Sequence, residues 1–148
     1  MPAIPEPIQS AATLADALEA TLQHFAADSG TVHLLEADGV LHLKAASRGI
    51  PEAAVERFRL IPVGKGMAGL AVQRAVPVTA CNIQTDVTGD VRPGAKLTGL
   101  EGAIVVPMMR NGAAIGAYGI ANREPRTFHI EEIELLQAIA AHLAAKHG

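Results

Sequence analysis

Hydrophobic and polar residues recur along this chain with two spacings, one helical and one extended. Near the start, apolar side chains follow the three- and four-residue spacing of a helix at Leu14, Leu18, Leu22 and Phe25. With Ser10 as a candidate N-cap, the spacing predicts an amphipathic helix over residues 10–27. Near the end, residues 130–146 repeat the pattern, with glutamates in the first turns, where the helix dipole favours them. A helix is therefore expected near each end of the sequence.

Between these helices the pattern changes to that of strands. Residues 31–35 and 40–46 flank a turn-forming sequence at 36–39 and predict a hairpin. Residues 103–109 are apolar throughout and predict a central strand, which Asn111-Gly112 joins to a partner at 114–121. Simple alternation divides the first hairpin into two faces, Val32, Leu34, Leu41, Leu43 and Ala45 on one and Thr31, His33, His42 and Lys44 on the other.

Shorter segments complete the order of elements. Short helices are predicted at residues 51–57 and 67–74, followed by a brief strand ending near Thr79. Residues 82–100 predict a functional loop that contains one short helix near residues 95–100. Hairpin-linked strands with helices at both ends favour an α+β domain, in which an antiparallel sheet carries helices on one face.

The composition fits one small domain. The chain has 148 residues, of which 49% are hydrophobic, and a mean hydropathy of +0.25. This length and composition are sufficient for one buried core. Residues 1–9 contain several prolines and predict a flexible N-terminal arm, which leaves residues 10–148 as a single domain.

Charge and residue usage exclude several functions. The net charge is −3 and no run of Lys or Arg is present, so nucleic acid is not an expected partner. Aromatic residues make up 3% of the chain, too few for an obvious platform under a large planar ligand. A single cysteine, Cys81, permits no internal disulfide. Without an evident signal peptide or membrane span, a cytoplasmic location is expected.

The glycine-rich segment Gly64-Lys65-Gly66-Met67-Ala68-Gly69 matches the G-x-G-x-x-G pattern of dinucleotide sites. That pattern needs a buried strand before the first glycine, whereas Pro62 cannot donate a hydrogen bond within a central strand. No βαβ unit precedes the segment either. A Gly-rich turn that opens a short helix is therefore the favoured interpretation.

With its surroundings, the segment from Ile61 to Gly69 resembles the signature turn of GAF domains, which are small-molecule sensing modules of signalling proteins. Two further pieces carry the resemblance, the hairpin with Val105-Val106-Pro107-Met108 and Ile115-Gly116, and the closing Pro125-Arg126-Thr127-Phe128. It covers residues 14–143 and implies a GAF-like, PAS-related fold of about six antiparallel strands. Terminal helices would lie on one face and a ligand pocket, including Thr31 and His33, on the other.

Enzymes of this family, the free methionine-R-sulfoxide reductases, need paired thiols for their chemistry. The resemblance aligns their two cysteines with Ala68 and Lys96, and their substrate-holding glutamate with Ala103. These departures argue against reductase activity. Members that bind cyclic nucleotides carry a pattern that Asn122-Arg123, Phe128 and Glu131-Glu132 match loosely, although such residues also serve to tie the last strand to the last helix. Bilin-binding members use a loop cysteine, which this chain lacks.

The candidate ligand-binding residues are His33, Met67, Lys96, Leu97, Thr98, Ala103, Val105 and Tyr118. Tyr118 is included on the condition that the Asn111-Gly112 hairpin contains no bulge. Lys96, with nearby backbone N–H groups, is either an anion ligand or a solvent-facing lysine. His33 and His42 alone are a weak metal signal, and no metal or cofactor is expected. The apolar walls suit a compact ligand such as a small anion or metabolite.

The sequence thus favours a non-catalytic, ligand-binding regulatory module of bacterial-type signal transduction. A reductase-type enzyme and a dimerisation module without a ligand remain as alternatives. The last helix offers a second apolar stripe, at Leu135 and Ile139 beside Ile133, Leu136, Ala140 and Leu143, so a homodimer is expected. A sensor kinase or another signalling protein would be the downstream partner.

Overall fold

The computed structural model describes residues 2–86, 90–91, 93–96 and 98–148. Its helices are α1 (Glu6–Gln9), α2 (Leu14–Phe25), α3 (Glu52–Phe58), α4 (Gly66–Arg74), α5 (Pro93–Lys96) and α6 (Ile130–His147), and one turn of 3₁₀ helix spans Ile83–Thr85. Its strands are β1 (Ser29–Leu35), β2 (Val40–Ala46), β3 (Leu60–Pro62), β4 (Val78–Ala80), β5 (Gly102–Arg110) and β6 (Ala113–Asn122).

The strands form one six-stranded sheet in the order β3-β2-β1-β6-β5-β4. Every neighbouring pair is antiparallel, so the fold is α+β, as the sequence and the resemblance predicted. The long central strands β5 and β6 are joined at Asn111-Gly112, the dipeptide predicted to turn there, and both residues have positive φ.

The helices α2 and α6 cover one face of this sheet, and α1 packs against both of them. Thr13 caps α2 by accepting a hydrogen bond from the Asp16 N–H, so the N-cap lies three residues later than the predicted cap at Ser10. Leu18, Leu22 and Phe25 of α2 point into a core shared with β1, β5, β6 and α6. The apolar stripe that predicted α2 is therefore the surface that packs on the sheet.

The N-terminal segment contributes to the same core. Ile8, the one buried residue of α1, is 0% exposed and packs with α2 and α6 residues. Residues 6–9 belong to the segment expected to be a flexible arm, so this part of it packs on the domain. The division of the chain at residue 9 stays a prediction.

The last helix does not carry the surplus apolar surface expected of it. Ile139 and Leu143 are 0% exposed, and Leu135 packs partly buried against the same core. Helices α1 and α2 both contact α6, and Ile8 of α1 belongs to the same buried cluster as Ile139 and Leu143. The argument for a homodimer from this stripe is therefore wrong, and the homodimer itself stays a prediction. Among the described residues no helix, α6 included, is both long and apolar enough to cross a membrane.

A bulge corrects the predicted faces of the first hairpin. Val32 pairs with Ala45 but the next residue, His33, pairs with Leu43, so Lys44 is an extra residue in β2. One extra residue moves every later side chain to the opposite face. Leu41 and Leu43 consequently share the face of His33, not that of Val32. On the opposite face from His33, His42 bonds through Nε2 to Asp38 Oδ2 at 2.8 Å.

The segment before the glycine turn, excluded above as a central strand, forms the edge strand β3. An edge position tolerates Pro62 because its missing N–H faces away from the neighbouring strand β2. The glycines of the turn allow backbone conformations and close backbone contacts that a side chain would prevent. Gly64 adopts a φ of +89°, and a Cβ on Gly69 would lie 2.4 Å from the Pro62 carbonyl oxygen. Gly69 therefore lets α4 pack directly against β3.

Candidate functional site

A cavity of about 340 Å³ lies on the face of the sheet opposite α2 and α6. Its floor is formed by residues of the three central strands, Thr31, His33, Ala103, Val105 and Gly119. Helices α3, α4 and α5 supply the cover, with Phe58, Met67, Ala68 and Ala95 among the lining residues. Most of these side chains are apolar, and the volume falls in the range of small-molecule sites.

The alternation of β5 builds two different environments from one strand. Ala103 and Val105 line the cavity, whereas Ile104 and Val106 pack into the core on the helix face. The sequence placed Ala103 and Val105 among the candidate ligand contacts. The structure brings them together with Met67 and His33 around the same space.

Tyr118 lies on the other face of the sheet. Met108 pairs with Gly116 and Met109 with Ala114, so Ile115 is an extra residue in β6. The register without a bulge, on which the expectation for Tyr118 rested, is not formed. Val105 pairs with Gly119 instead of Tyr118, and the missing side chain at Gly119 leaves room above the floor.

The phenol of Tyr118 belongs to the helix-side core. Its hydroxyl lies 2.7 Å from the Thr21 hydroxyl of α2, and the side chain is 0% exposed. Burial raises the pKa of Tyr118 above its ordinary value, with the Thr21 hydrogen bond opposing the shift. Tyr118 therefore satisfies a buried polar group and has no contact with the cavity.

His33 is a buried, neutral histidine in the wall of the cavity. Its Nε2 lies 2.7 Å from the Phe58 carbonyl oxygen, and because a carbonyl only accepts, Nε2 carries the proton. Burial lowers the pKa of His33 to about 4, with the hydrogen bond to Phe58 opposing the shift. Its Nδ1 is buried without a hydrogen-bond partner. The hydrogen bond fastens the end of α3 to β1.

The predicted anion site at Lys96 does not form part of the cavity. The Lys96 side chain is exposed, and its Nζ donates to the Asp86 carbonyl oxygen at 3.4 Å. Thr98 does line the cavity, but its hydroxyl donates to the Ala95 carbonyl oxygen at 2.7 Å. Leu97, the third candidate in this segment, lies outside the described residues. The short helix here spans Pro93–Lys96, slightly earlier than predicted.

The residues that resembled a cyclic-nucleotide pattern join the last strand to the last helix. Arg126 donates to the Phe25 carbonyl oxygen, to Asn122 Oδ1 and to Glu132 Oε2, and its guanidinium lies 4.5 Å from the ring centre of Phe128. None of these residues lines the cavity. Their contacts are those of a structural junction.

No thiol lies at the cavity within the described part of the chain. Ala68 and Ala103, which the resemblance aligned with a cysteine and a glutamate of the reductases, line it. Cys81 is exposed and outside the cavity, with its Sγ 3.8 Å from the Thr127 hydroxyl. Among the described residues, no group of three or more His, Cys, Asp or Glu side chains is placed to hold a metal ion.

Sequence reasoning missed the α3 side of the cavity. Ile50, Arg57 and Phe58 line it together with Ile61 of β3. The apolar positions of this segment showed a short helix, but not which sheet face it covers. The signal lay in the resemblance, since a pocket on the face of His33 needs a cover that the terminal helices cannot supply.

Comparison with known proteins gives a consistent result. The family model for the GAF domain matches residues 9–145. The structure is similar to the GAF domain of a phosphoenolpyruvate-protein phosphotransferase from Coxiella burnetii, with a TM-score of 0.76 and 23% identity over 93% of this chain and 84% of that one. It is also similar to the corresponding Acinetobacter GAF domain, with a TM-score of 0.74 and 21% identity over 93% of this chain and 84% of that one.

An enzyme appears among the similar structures as well. The free methionine-R-sulfoxide reductase from Neisseria meningitidis, solved with its substrate, has a TM-score of 0.73 and 18% identity over 90% of this chain and 74% of that one. No curated protein matches the sequence. At these identities the similar structures establish the fold alone.

Proposed function

The chain belongs to the GAF domain family, and from this premise we propose that it is a non-catalytic sensory module whose cavity binds a small molecule. The observation that carries the proposal is the cavity itself, an apolar space of about 340 Å³ between the sheet and α3, α4 and α5. A partly open, mostly apolar cavity of these dimensions is typical of a small-molecule binding site.

In this proposal the bound molecule acts on the terminal helices through the sheet, in a bacterial-type signalling system of the cytoplasm. A sensor kinase or another signalling protein would receive the signal. The alternative of a dimerisation module without a ligand has less support, because it leaves the cavity unexplained. The exposed large apolar residues of the described chain are also few: Leu60 in β3, Val63 and Val76 in the segments before and after α4, and Ile130 at the start of α6.

Filling the cavity is expected to weaken binding of a small apolar molecule at least about tenfold, the equivalent of about 1.4 kcal/mol. Ala68 of α4 lines the cavity and is only partly buried, so the ring of an Ala68→Phe variant occupies the space of the ligand. Octan-1-ol is a suitable probe because burial of each methylene favours binding by about 0.8 kcal/mol. Isothermal titration calorimetry on both proteins makes the comparison.

The matched control is Ala145→Phe, which adds the same ring at an exposed position of α6, remote from the cavity. It is expected to bind octan-1-ol like the unmodified chain. Equal affinities of all three proteins would place the probe elsewhere and contradict the assignment of the cavity. Native mass spectrometry of the freshly purified chain would then identify any natural occupant.

The chain is also expected to have no free methionine sulfoxide reductase activity with any thiol donor. Reduction of a sulfoxide needs a thiolate to attack sulfur and a second thiol to resolve the intermediate. This chain has one cysteine in all, and Cys81 lies outside the cavity. Turnover of the free amino acid, measured by its conversion to methionine, would contradict the non-catalytic assignment. A Cys81→Ser variant would then show whether the thiol is responsible.

A further inference from the structure

One charged side chain lines the cavity among the residues described. Arg57 lies in the last turn of α3, beside Phe58, at the exposed edge of the cavity. Its guanidinium makes no hydrogen bond or ion pair with any other described residue. Arg59, two positions further on, differs because it pairs with Glu56 at 3.0 Å and does not line the cavity.

The remaining described lining offers no charged partner for a positive ligand and only uncharged groups for a polar one. No acidic side chain of the described residues faces the cavity. His33 is neutral and its Nε2 is already bonded to Phe58, Thr98 bonds within its own turn, and Ser29 and Thr31 supply uncharged hydroxyls. The apolar floor and cover thus favour a ligand with an apolar body, and Arg57 favours one negative group on that ligand at the edge of the cavity.

From this arrangement, which rests on the proposed small-molecule site, we infer that the ligand is an amphiphilic carboxylate. Its apolar part fills the space above Ala103, Val105 and Gly119, and its carboxylate meets the Arg57 guanidinium. The planar guanidinium matches a carboxylate with two parallel hydrogen bonds. The single arginine balances the one charge of a carboxylate, whereas a phosphate monoester carries up to two, so a carboxylate fits better.

Three probes with one tail and different head groups test the inference. Octanoate, octan-1-ol and octylammonium are titrated into the full chain by calorimetry. Because Arg57 is exposed, octanoate is expected to bind about fivefold more tightly than octan-1-ol, and octylammonium more weakly than both. Raising the salt concentration to about 0.5 M should reduce the preference for octanoate while leaving octan-1-ol unchanged.

Two variants of equal charge assign the preference to a residue. Arg57→Gln should bring the octanoate and octan-1-ol affinities within about twofold of each other, whereas Arg59→Gln should keep the wild-type ratio. Octan-1-ol serves as the internal reference. A change in the cavity that affects binding of the tail alters both affinities equally and leaves their ratio unchanged. Arg57→Met, which retains the apolar stem, replaces Arg57→Gln if that variant does not fold.

The outcomes separate this inference from the function on which it rests. Equal binding of octanoate and octan-1-ol to the unmodified chain overturns the inference and leaves the binding cavity intact. A preference for octanoate that survives in Arg57→Gln or Arg57→Met also overturns it. Tighter binding of octyl phosphate than of octanoate would overturn the choice of head group. Failure of all these probes to bind would contradict the proposed binding function itself.

Discussion

Replacement of Ile139 by glutamate is expected to unfold the chain, not to release a folded monomer. Ile139 is 0% exposed in the core between α6, α1, α2 and the sheet. The substitution loses about 1.5 to 3 kcal/mol of apolar burial and adds the cost of burying an unpaired charge. The sum exceeds about 4 kcal/mol, which is a large part of the stability of a domain of this size. Urea unfolding followed by circular dichroism measures it.

The control lies in the same helix. Ile130, the first residue of α6, is 61% exposed, and Ile130→Glu adds a negative charge where the helix dipole favours it. Its free energy of unfolding should remain within about 0.5 kcal/mol of the unmodified chain. An Ile139→Glu protein that is folded, monomeric and nearly as stable as the parent would show that Ile139 faces a partner copy after all.

Acidification from pH 6.5 to pH 4 is expected to remove up to about 3 kcal/mol of stability through His33. Burial lowers the pKa of His33 to about 4 in the folded protein, against 6.5 for an exposed histidine. Between these values the unfolded chain binds a proton that the folded chain does not, so the free energy of unfolding rises with pH. The contribution is complete above pH 6.5 and is lost as the pH falls towards 4. Urea unfolding at a series of pH values measures it.

A His33→Gln variant isolates this contribution. Glutamine retains a donor for the Phe58 carbonyl oxygen but does not titrate, so the stability of the variant should depend less on pH in this window. His24→Gln, at an exposed position of α2, should keep the pH dependence of the unmodified chain. An NMR titration that gives His33 a pKa near that of a free histidine would contradict the buried, neutral state.

The sequence predicted most elements because their patterns are long and local. The patterns that predicted them are the apolar stripe of α2, the apolar run of β5 and the Asn111-Gly112 turn. Each pattern consists of residues that are close together in the sequence. The edge strand β3 was missed because it has three residues, one of them Pro62, and is held by pairing with β2 rather than by its own pattern. Short elements of this kind depend on a neighbour that the local sequence does not contain.

Face assignments failed where a bulge intervenes. Lys44 in β2 and Ile115 in β6 are each one residue too many for simple alternation. That single residue decides whether Leu41 or Tyr118 lies on the face of the sheet that carries the cavity or on the face covered by the helices. Neither extra residue is itself a glycine, which often marks a bulge, although Gly116 follows Ile115 in β6.

The sequence predicted residues in the floor and cover of the cavity but not the arginine at its edge. His33, Met67, Ala103 and Val105 line the cavity because the resemblance fixed which sheet face is covered. Lys96 was a candidate because of its position in a loop, and only the fold shows that its side chain does not line the cavity. Arg57 was overlooked because a lone arginine at the end of a short helix resembles any solvated charge. The exposed apolar stripe predicted for α6 was wrong because the sequence pattern is local. Ile8, which packs into the same core as α6, lies over a hundred residues away in sequence.

Strand β5 has a mechanical consequence for any module that reports occupancy. Val105 touches the cavity and its covalent neighbours Ile104 and Val106 touch the core that contains α6. A molecule that displaces the Val105 backbone therefore moves those two neighbours with it, because the main chain between adjacent residues is nearly inextensible. The displacement thus passes from the cavity face to the helix face across a single sheet. It is transmitted by the covalent geometry of the main chain and needs no series of side-chain contacts.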